Sequence, residues 1–455
     1  MPSLSDYHQF VITNDIYQLA LFAVGIIGGL LAVALNNRRV KPLPLIPLWF
    51  VMLIALALRL PRMLEPLWYD ETFAVAVGSL PFSQMLQVIL SDVHPPTHYA
   101  LIAPLIAIFG DSAIVVRLPS LIAGLIMVFA VYRLAPRQYA VLSALIVAMM
   151  PAAIHYSAEA RYPIFLALTV VGALLAIKHK HPAAVVLSGL PSWWHPVGVF
   201  YMPALWLYMR RRGYGLRYVM ASVAVGVVWF PLYIMQATDV INGFWLILRQ
   251  PLSHLLSGYT IHSNLLILPV LLVFGAIVGM SITRKYMLII WVVPFMVFLV
   301  SAIIAPVYLH RALLASVVLL AIPMATVFGN QFRPLLVVLL GLSVVMYFTG
   351  GQDVNMKRLI DTCDESITAT STATTISIMY FADVPVYTHA IDNYHQWLSD
   401  DAKNALGFNQ PPPDADCVFI QRDYGNHADE IKIITGMTRI ASQRINQFAV
   451  WEIYR

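Results

Sequence analysis

The chain has 455 residues, 60% of them hydrophobic and 11% charged, against about 25% charged in a soluble domain, so a water-soluble globular enzyme is excluded. Its net charge of +5 comes from short basic clusters between apolar runs, which is a topology pattern and argues against nucleic acid as a partner. With only two cysteines, Cys363 and Cys417, it has no cysteine-built metal cluster.

Crossing the hydrocarbon core takes roughly 20 apolar residues. Runs of that kind predict spans near 16–36, 44–60, 116–134, 139–154, 162–178, 182–191, 197–209, 218–236, 262–281, 286–304, 311–328 and 334–349. The expectation is an α-helical polytopic membrane protein with about 12 transmembrane helices. The first run follows the acidic start marked by Asp6 and Asp15 and has no basic leader, so it reads as a retained span rather than a signal peptide. The pair at 182–191 and 197–209 reads either as two short spans or as one broken hairpin.

Two further apolar stretches lie between Phe73 and Gly110, the first interrupted by Pro81. They predict helices lying along the membrane interface in the first large outer loop. The basic motifs NNRRVK, YRLAPR, KHK, MRRRGYGLR, TRK and NQFR all fall on alternate loops, which marks that side as cytoplasmic. The opposite loops hold LWYDE, HPPTHY, HYSAEARY, SWWHP, the segment 237–260 and PVYLHR. A transmembrane module over 1–350 is followed by a polar tail over 351–455. The strand-like runs TTISIMY, DCVFI and QFAVWEIY, with a helical pattern from His395 to Leu406, make that tail a small extracytoplasmic α/β domain. Cys363 and Cys417 there are either a disulfide or two free thiols.

The outer loops carry the chemistry. Asp70 and Glu71 follow the second span closely. Such carboxylates either mark the membrane boundary or do general-base work. In SDVHPPTHY, the double proline fixes an extended turn. Asp92 and His94, with His98 beyond, either position a hydroxyl or cation there or cap the helix that follows. HYSAEARYP supplies His155, Glu159 and Arg161. Its charges either snorkel or, with Tyr308, His310 and Arg311 of PVYLHR, suit a phosphate at the membrane surface. His195 either packs on Trp193 and Trp194 or meets substrate.

LWYDE, then DVHPPTHYALIAPLIAIFGDSAIVVRLPSLIAGLIMVFAVYRLA, then SAEARYPIFLAL, and later VYLHRALLASVVLLAIP, resemble in order and spacing the membrane glycosyltransferases of the GT-C fold. The nearest branch is that of the protein O-mannosyltransferases and the lipid A aminoarabinose transferase. The resemblance is strongest over 44–180. It implies inverting transfer of a sugar from a polyprenyl-phosphate donor to an acceptor hydroxyl outside the cytoplasm, the acceptor being lipid, glycan or protein. It also implies that Asp70 is the general base with Glu71 in support, that Asp92 and His94 shape the acceptor side, and that Glu159 is a second acid. Arg161 and Arg311 would hold the donor phosphate. The loop 237–260, with Trp245, Arg249, His254 and Tyr259, would close over the donor. Relatives of this branch are generally regarded as metal-independent, yet Asp92, Glu159 and the histidines leave a divalent metal open. No Asn-x-Ser/Thr site occurs, which favours a bacterial inner membrane. The competing expectations are a flippase or transporter of lipid-linked sugars, a related enzyme with a pyrophosphate-linked oligosaccharide donor, and a structural membrane subunit.

Overall fold

A computed structural model describes residues 46–92, 94–234, 286, 288–303 and 310–328, together with segments of the tail between 362 and 454. The helices in chain order are α1 (Leu48–Ala57), α2 (Leu60–Met63), α3 (Tyr69–Gly78), α4 (Phe82–Ser91), α5 (Thr97–Phe109), α6 (Ala113–Leu134), α7 (Ala140–Met149), α8 (Pro151–Ser157), α9 (Pro163–Lys178), α10 (Ala183–Gly189), α11 (Pro191–Trp194), α12 (Met202–Arg211), α13 (Leu216–Gly226), α14 (Val293–Ile303), α15 (Leu314–Leu319) and α16 (Ala321–Phe328). They belong to two units. One comprises 1–63, 117–231 and 244–350, the other 64–116, 232–243 and 351–455.

The first unit is helical throughout its described residues. Helix α6 begins just before it, at Ala113, and runs 22 residues, or about 33 Å at 1.5 Å per residue, enough to cross a bilayer. It has two faces. Ile114, Leu118, Ile122, Ile126 and Phe129 are exposed at near-fourfold spacing, an apolar stripe suited to lipid, whereas Arg117, Ser120, Met127 and Val131 are buried. Among the described residues, α6 alone is long and apolar enough to span unbroken.

The span expected over 139–154 is instead two helices, α7 and α8, bent by 62°. Proline explains the bend. Pro151 has no N–H to continue α7, and Met150 before it is extended, with φ −73° and ψ 119°. Helix α9 restarts with Pro163 at its first position, where the missing N–H costs nothing. It packs on α10 and α15, while α7 packs on α1 and α16. The predicted spans at 16–36, 262–281 and 334–349 lie outside the described residues.

In the second unit α3, α4 and α5 occupy the loop predicted to hold interfacial helices. Helix α4 exposes Phe82, Leu86 and Leu90 and buries Met85, Val88 and Ile89. Gly78 lets α3 lie close to α5, since a Cβ there would stand 3.1 Å from Ile106 and 3.2 Å from Ile102.

The tail forms a mixed five-stranded sheet of order β2-β1-β3-β5-β4, from β1 (Ile367–Ala369), β2 (Val386–Thr388), β3 (Cys417–Arg422), β4 (Arg439–Arg444) and β5 (Val450–Tyr454). Strand β1 pairs parallel with β2 and β3, whereas β5 pairs antiparallel with β3 and β4. Cys363 and Cys417 are disulfide-bonded, resolving the alternative left open by the sequence. The bond lies where Ile367 registers with Cys417. Tyr380 donates to the Asp111 carbonyl at 3.0 Å, tying the tail to the loop after α5. One expectation is corrected. Residues 378–380, the end of the TTISIMY run, are helical rather than extended, and the short strands β1 and β2 carry too little alternation to be read locally. Of the helical pattern from His395 to Leu406, only 405–406 are described.

Candidate active site

The acidic side chains of the second unit are held by near neighbours in the chain. Trp68 is extended and α3 starts immediately after it, placing Asp70 and Glu71 in the first turn, where the exposed N–H groups favour negative charge. Glu71 is fully buried, and its Oε2 accepts from the Trp68 N–H at 3.2 Å. This carboxylate closes the helix start. Asp70, beside it, remains partly accessible. The arrangement commits Glu71 to the backbone at the helix start and leaves Asp70 with some solvent contact.

Asp92 ends α4, 2% exposed. Its Oδ2 accepts from the Tyr99 hydroxyl at 2.5 Å, and its Oδ1 lies 3.4 Å from His94 Nδ1. No side chain caps α5, whose N-cap is Pro96, so Asp92 is a partner of Tyr99 and His94 and not a helix cap. His98 is buried and meets the Tyr99 ring edge-on at 6.2 Å. The Tyr99 ring also packs edge-on against Phe73 of α3, 6.4 Å away.

The basic residues of the first unit are gathered from distant parts of the chain. His155 on α8 faces Glu159 four residues on, with Nε2 3.9 Å from Oε2. Burial, and after it the positive charges of Arg62, Arg117 and Arg311, push the pKa of the His155 ring well below its ordinary value. Arg117 donates to the Arg62 carbonyl at 2.9 Å. Arg59, fully buried, donates through Nη1 to Ala55 at 2.8 Å and to Ala148 at 3.0 Å. Ala148 is in the last turn of α7, so this guanidinium braces the helix end at the bend.

Arg161 and Arg311 are both buried, and their guanidinium carbons lie 5.8 and 5.9 Å from the centroid of the Tyr162 ring. His195 stacks on the same ring, 4.4 Å away with an interplanar angle of 15°. Arg311 sits in the turn His310–Leu313, which Tyr201 anchors through a 3.2 Å bond to the Ala312 carbonyl.

The predicted residues thus fall into two sets. Asp70, Glu71, Asp92, His94 and His98 belong to the second unit, and Glu159, Arg161, His195, His310 and Arg311 to the first. Arg249 and Tyr308 lie outside the described residues. The sequence reading passed over Arg59, Arg62, Arg117, Tyr99 and Tyr162. For the three arginines a signal existed, because a charge within or beside an apolar run is expensive and marks a functional position by default. Among the described residues no three histidine, cysteine, aspartate or glutamate side chains converge as metal ligands.

Residues 93–209 match the family described as dolichyl-phosphate-mannose-protein mannosyltransferase. Over that segment the chain is similar to the protein mannosyltransferases. The match takes in His94, His98, His155, Glu159, Arg161 and His195 and stops short of Asp70, Asp92 and Arg311. Among solved structures, ArnT from Cupriavidus metallidurans bound to undecaprenyl phosphate is 12% identical, covering 89% of this chain and 97% of its own, with a TM-score of 0.45. ArnT from the same organism in the apo state is 14% identical over 98% of each chain, with a TM-score of 0.37. A comparison with curated proteins finds no match.

Proposed function

We propose that the protein is an inverting glycosyltransferase. It moves a monosaccharide from a polyprenyl-phosphate donor to an acceptor hydroxyl on the extracytoplasmic face of a bacterial inner membrane. The observation that carries this reading is the match of residues 93–209 to a family described by its use of dolichyl-phosphate-mannose. Support comes from guanidinium groups buried in an apolar helical unit, where anionic phosphate is a natural ligand. The disulfide is of the kind that persists in oxidising compartments.

In this reaction Asp70 takes the proton of the acceptor hydroxyl as its oxygen attacks the anomeric carbon. The new glycosidic C–O bond forms while the bond from that carbon to the phosphate oxygen breaks. The lipid phosphate leaves with the electron pair, and Arg161 and Arg311 stabilise its charge. Such a step needs positioning and electrostatics more than covalent help, because the phosphate is already a good leaving group. Asp92, held by Tyr99, orders the acceptor side with His94.

The test is a transfer assay on the purified protein in lipid, offering a panel of polyprenyl-monophosphate sugars and following release of lipid phosphate with and without a chelator. Release that disappears in Asp70→Asn establishes the reading. No release with any donor, alongside movement of intact lipid-linked sugar between leaflets, replaces it with a flippase.

A further inference from the structure

Tyr162 brings together two candidate donor ligands that are 116 residues apart in sequence, His195 and Arg311. The His195 ring lies parallel to it at 4.4 Å, and the Arg311 guanidinium lies over the same ring at 5.9 Å. Three residues further on, Phe165 stacks on Trp194 at 4.9 Å and 18°, and Trp194 Nε1 donates to Thr169 Oγ1 at 2.9 Å. Tyr162, Phe165 and Thr169 follow the spacing of one helix face. Two aromatic stacks and a hydrogen bond therefore seat the SWWHP turn along the start of α9. The Tyr162 ring extends that placement to Arg311.

His195 is fixed in a second way. Its Nδ1 accepts from the Val197 N–H at 3.1 Å, capping the short helix Pro196–Phe200. The neutral ring therefore carries its proton on Nε2 and presents an N–H donor there. An aromatic face is also a particular kind of support for an arginine. The Tyr162 ring supports the guanidinium by its face.

We infer that Tyr162 is the positioning residue of the phosphate clamp, a single aromatic plate that sets both the Arg311 guanidinium and the His195 Nε2–H toward the donor phosphate. This rests on the reading of Arg161 and Arg311 as phosphate ligands. The experiment uses the full chain in lipid nanodiscs, polyprenyl monophosphate as the probe, calorimetric binding and the thermal midpoint. Tyr162→Phe keeps the ring and binds within twofold of wild type. Tyr162→Leu loses about tenfold, or about 1.4 kcal/mol. Adding Tyr162→Leu to the paired change Arg311→Ala and His195→Ala then costs little beyond that pair alone, because the ring acts through those two side chains.

Wild-type binding by Tyr162→Leu beside a defective Arg311→Ala overturns the inference and leaves the clamp standing. Wild-type binding by Arg311→Ala removes the clamp itself. Additive losses in that triple variant, or a Tyr162→Phe as weak as Tyr162→Leu, also overturn the inference, since the ring is then not what connects the parts. If Tyr162→Leu does not fold, Tyr162→Met supplies bulk without an aromatic face and is read in the same way.

Discussion

The carboxylates of α3 to α5 and the guanidiniums of the helical unit are fixed by opposite means. Glu71 is held by the backbone three residues before it, and Asp92 by side chains two and seven residues after it. Arg59 reaches a carbonyl 89 residues away, Arg117 one 55 residues away, and the turn bearing Arg311 is anchored by Tyr201 from 111 residues off. Among the described contacts, Glu71 and Asp92 are held within a short stretch of chain. The arginines depend on the assembled helical unit. Damage to distant helix packing should therefore reach the basic residues first and the acids last.

The largest expected effect tests chemistry on the acidic side. Asp70→Asn should lower turnover by about 10² to 10⁴-fold, the range of a general base, while polyprenyl monophosphate still binds, since the residues proposed to hold phosphate are Arg161 and Arg311. Retained turnover in that variant removes Asp70 from the mechanism. Next comes Arg161→Ala, which should weaken donor binding by about ten- to a hundredfold, in keeping with about 1.5–3 kcal/mol for a hydrogen bond to a charged group. Arg161→Lys should recover only part of this, because an ammonium lacks the planar fork. Full recovery would mean that charge alone is recognised there.

The same contrast decides what can be read from sequence. Asp70, Glu71 and Asp92 announce themselves through local patterns, a carboxylate pair soon after an apolar run and a double proline after His94, and the described contacts of Glu71 and Asp92 are local too. Helix α6 is legible because its apolar run is long and its exposed face regular. Tyr162 is not legible as a plate for Arg311, since nothing in RYP specifies which ring or guanidinium a later segment will bring. Nor is the bend at Pro151 assignable by hydropathy, because both arms remain apolar and only backbone geometry separates a continuous span from a broken one. In the tail, β3 and β5 are rich in β-branched and aromatic residues and read as strands, while the three-residue strands β1 and β2 are defined by pairing, β1 with β3 and β2 with β1, rather than by their own composition.

Gly124 offers a direct way to break the comparison. A Cβ at this position would run into the Ser157 side chain and lie 3.3 Å from Arg59 Nε. Gly124→Ala should therefore cost about 1–3 kcal/mol of stability by overpacking and shift α8, which bears His155. Binding of polyprenyl monophosphate and the thermal midpoint should fall together, with no metal or acceptor dependence. An unchanged midpoint would show that the helices part freely and that the basic residues are less dependent on distant packing than the geometry indicates.

Tyr99→Phe is the mildest change and the sharpest discriminator. It removes the hydroxyl that donates to Asp92 and keeps the ring that packs against Phe73 and His98. The loss of one buried hydrogen bond to a carboxylate is worth about 1.5–3 kcal/mol at most, and here His94 remains beside Asp92 to moderate it. Because these described partners lie between residues 73 and 98, the change should stay local. Donor binding should be unaltered, while turnover at limiting acceptor should fall several-fold and recover at saturating acceptor. A KM effect confined to the acceptor would assign Asp92 and His94 to that side of the reaction. A donor-binding defect as large as that of Arg161→Ala would show instead that the two sets of residues respond as one, and that the division between locally held acids and remotely held arginines does not govern function.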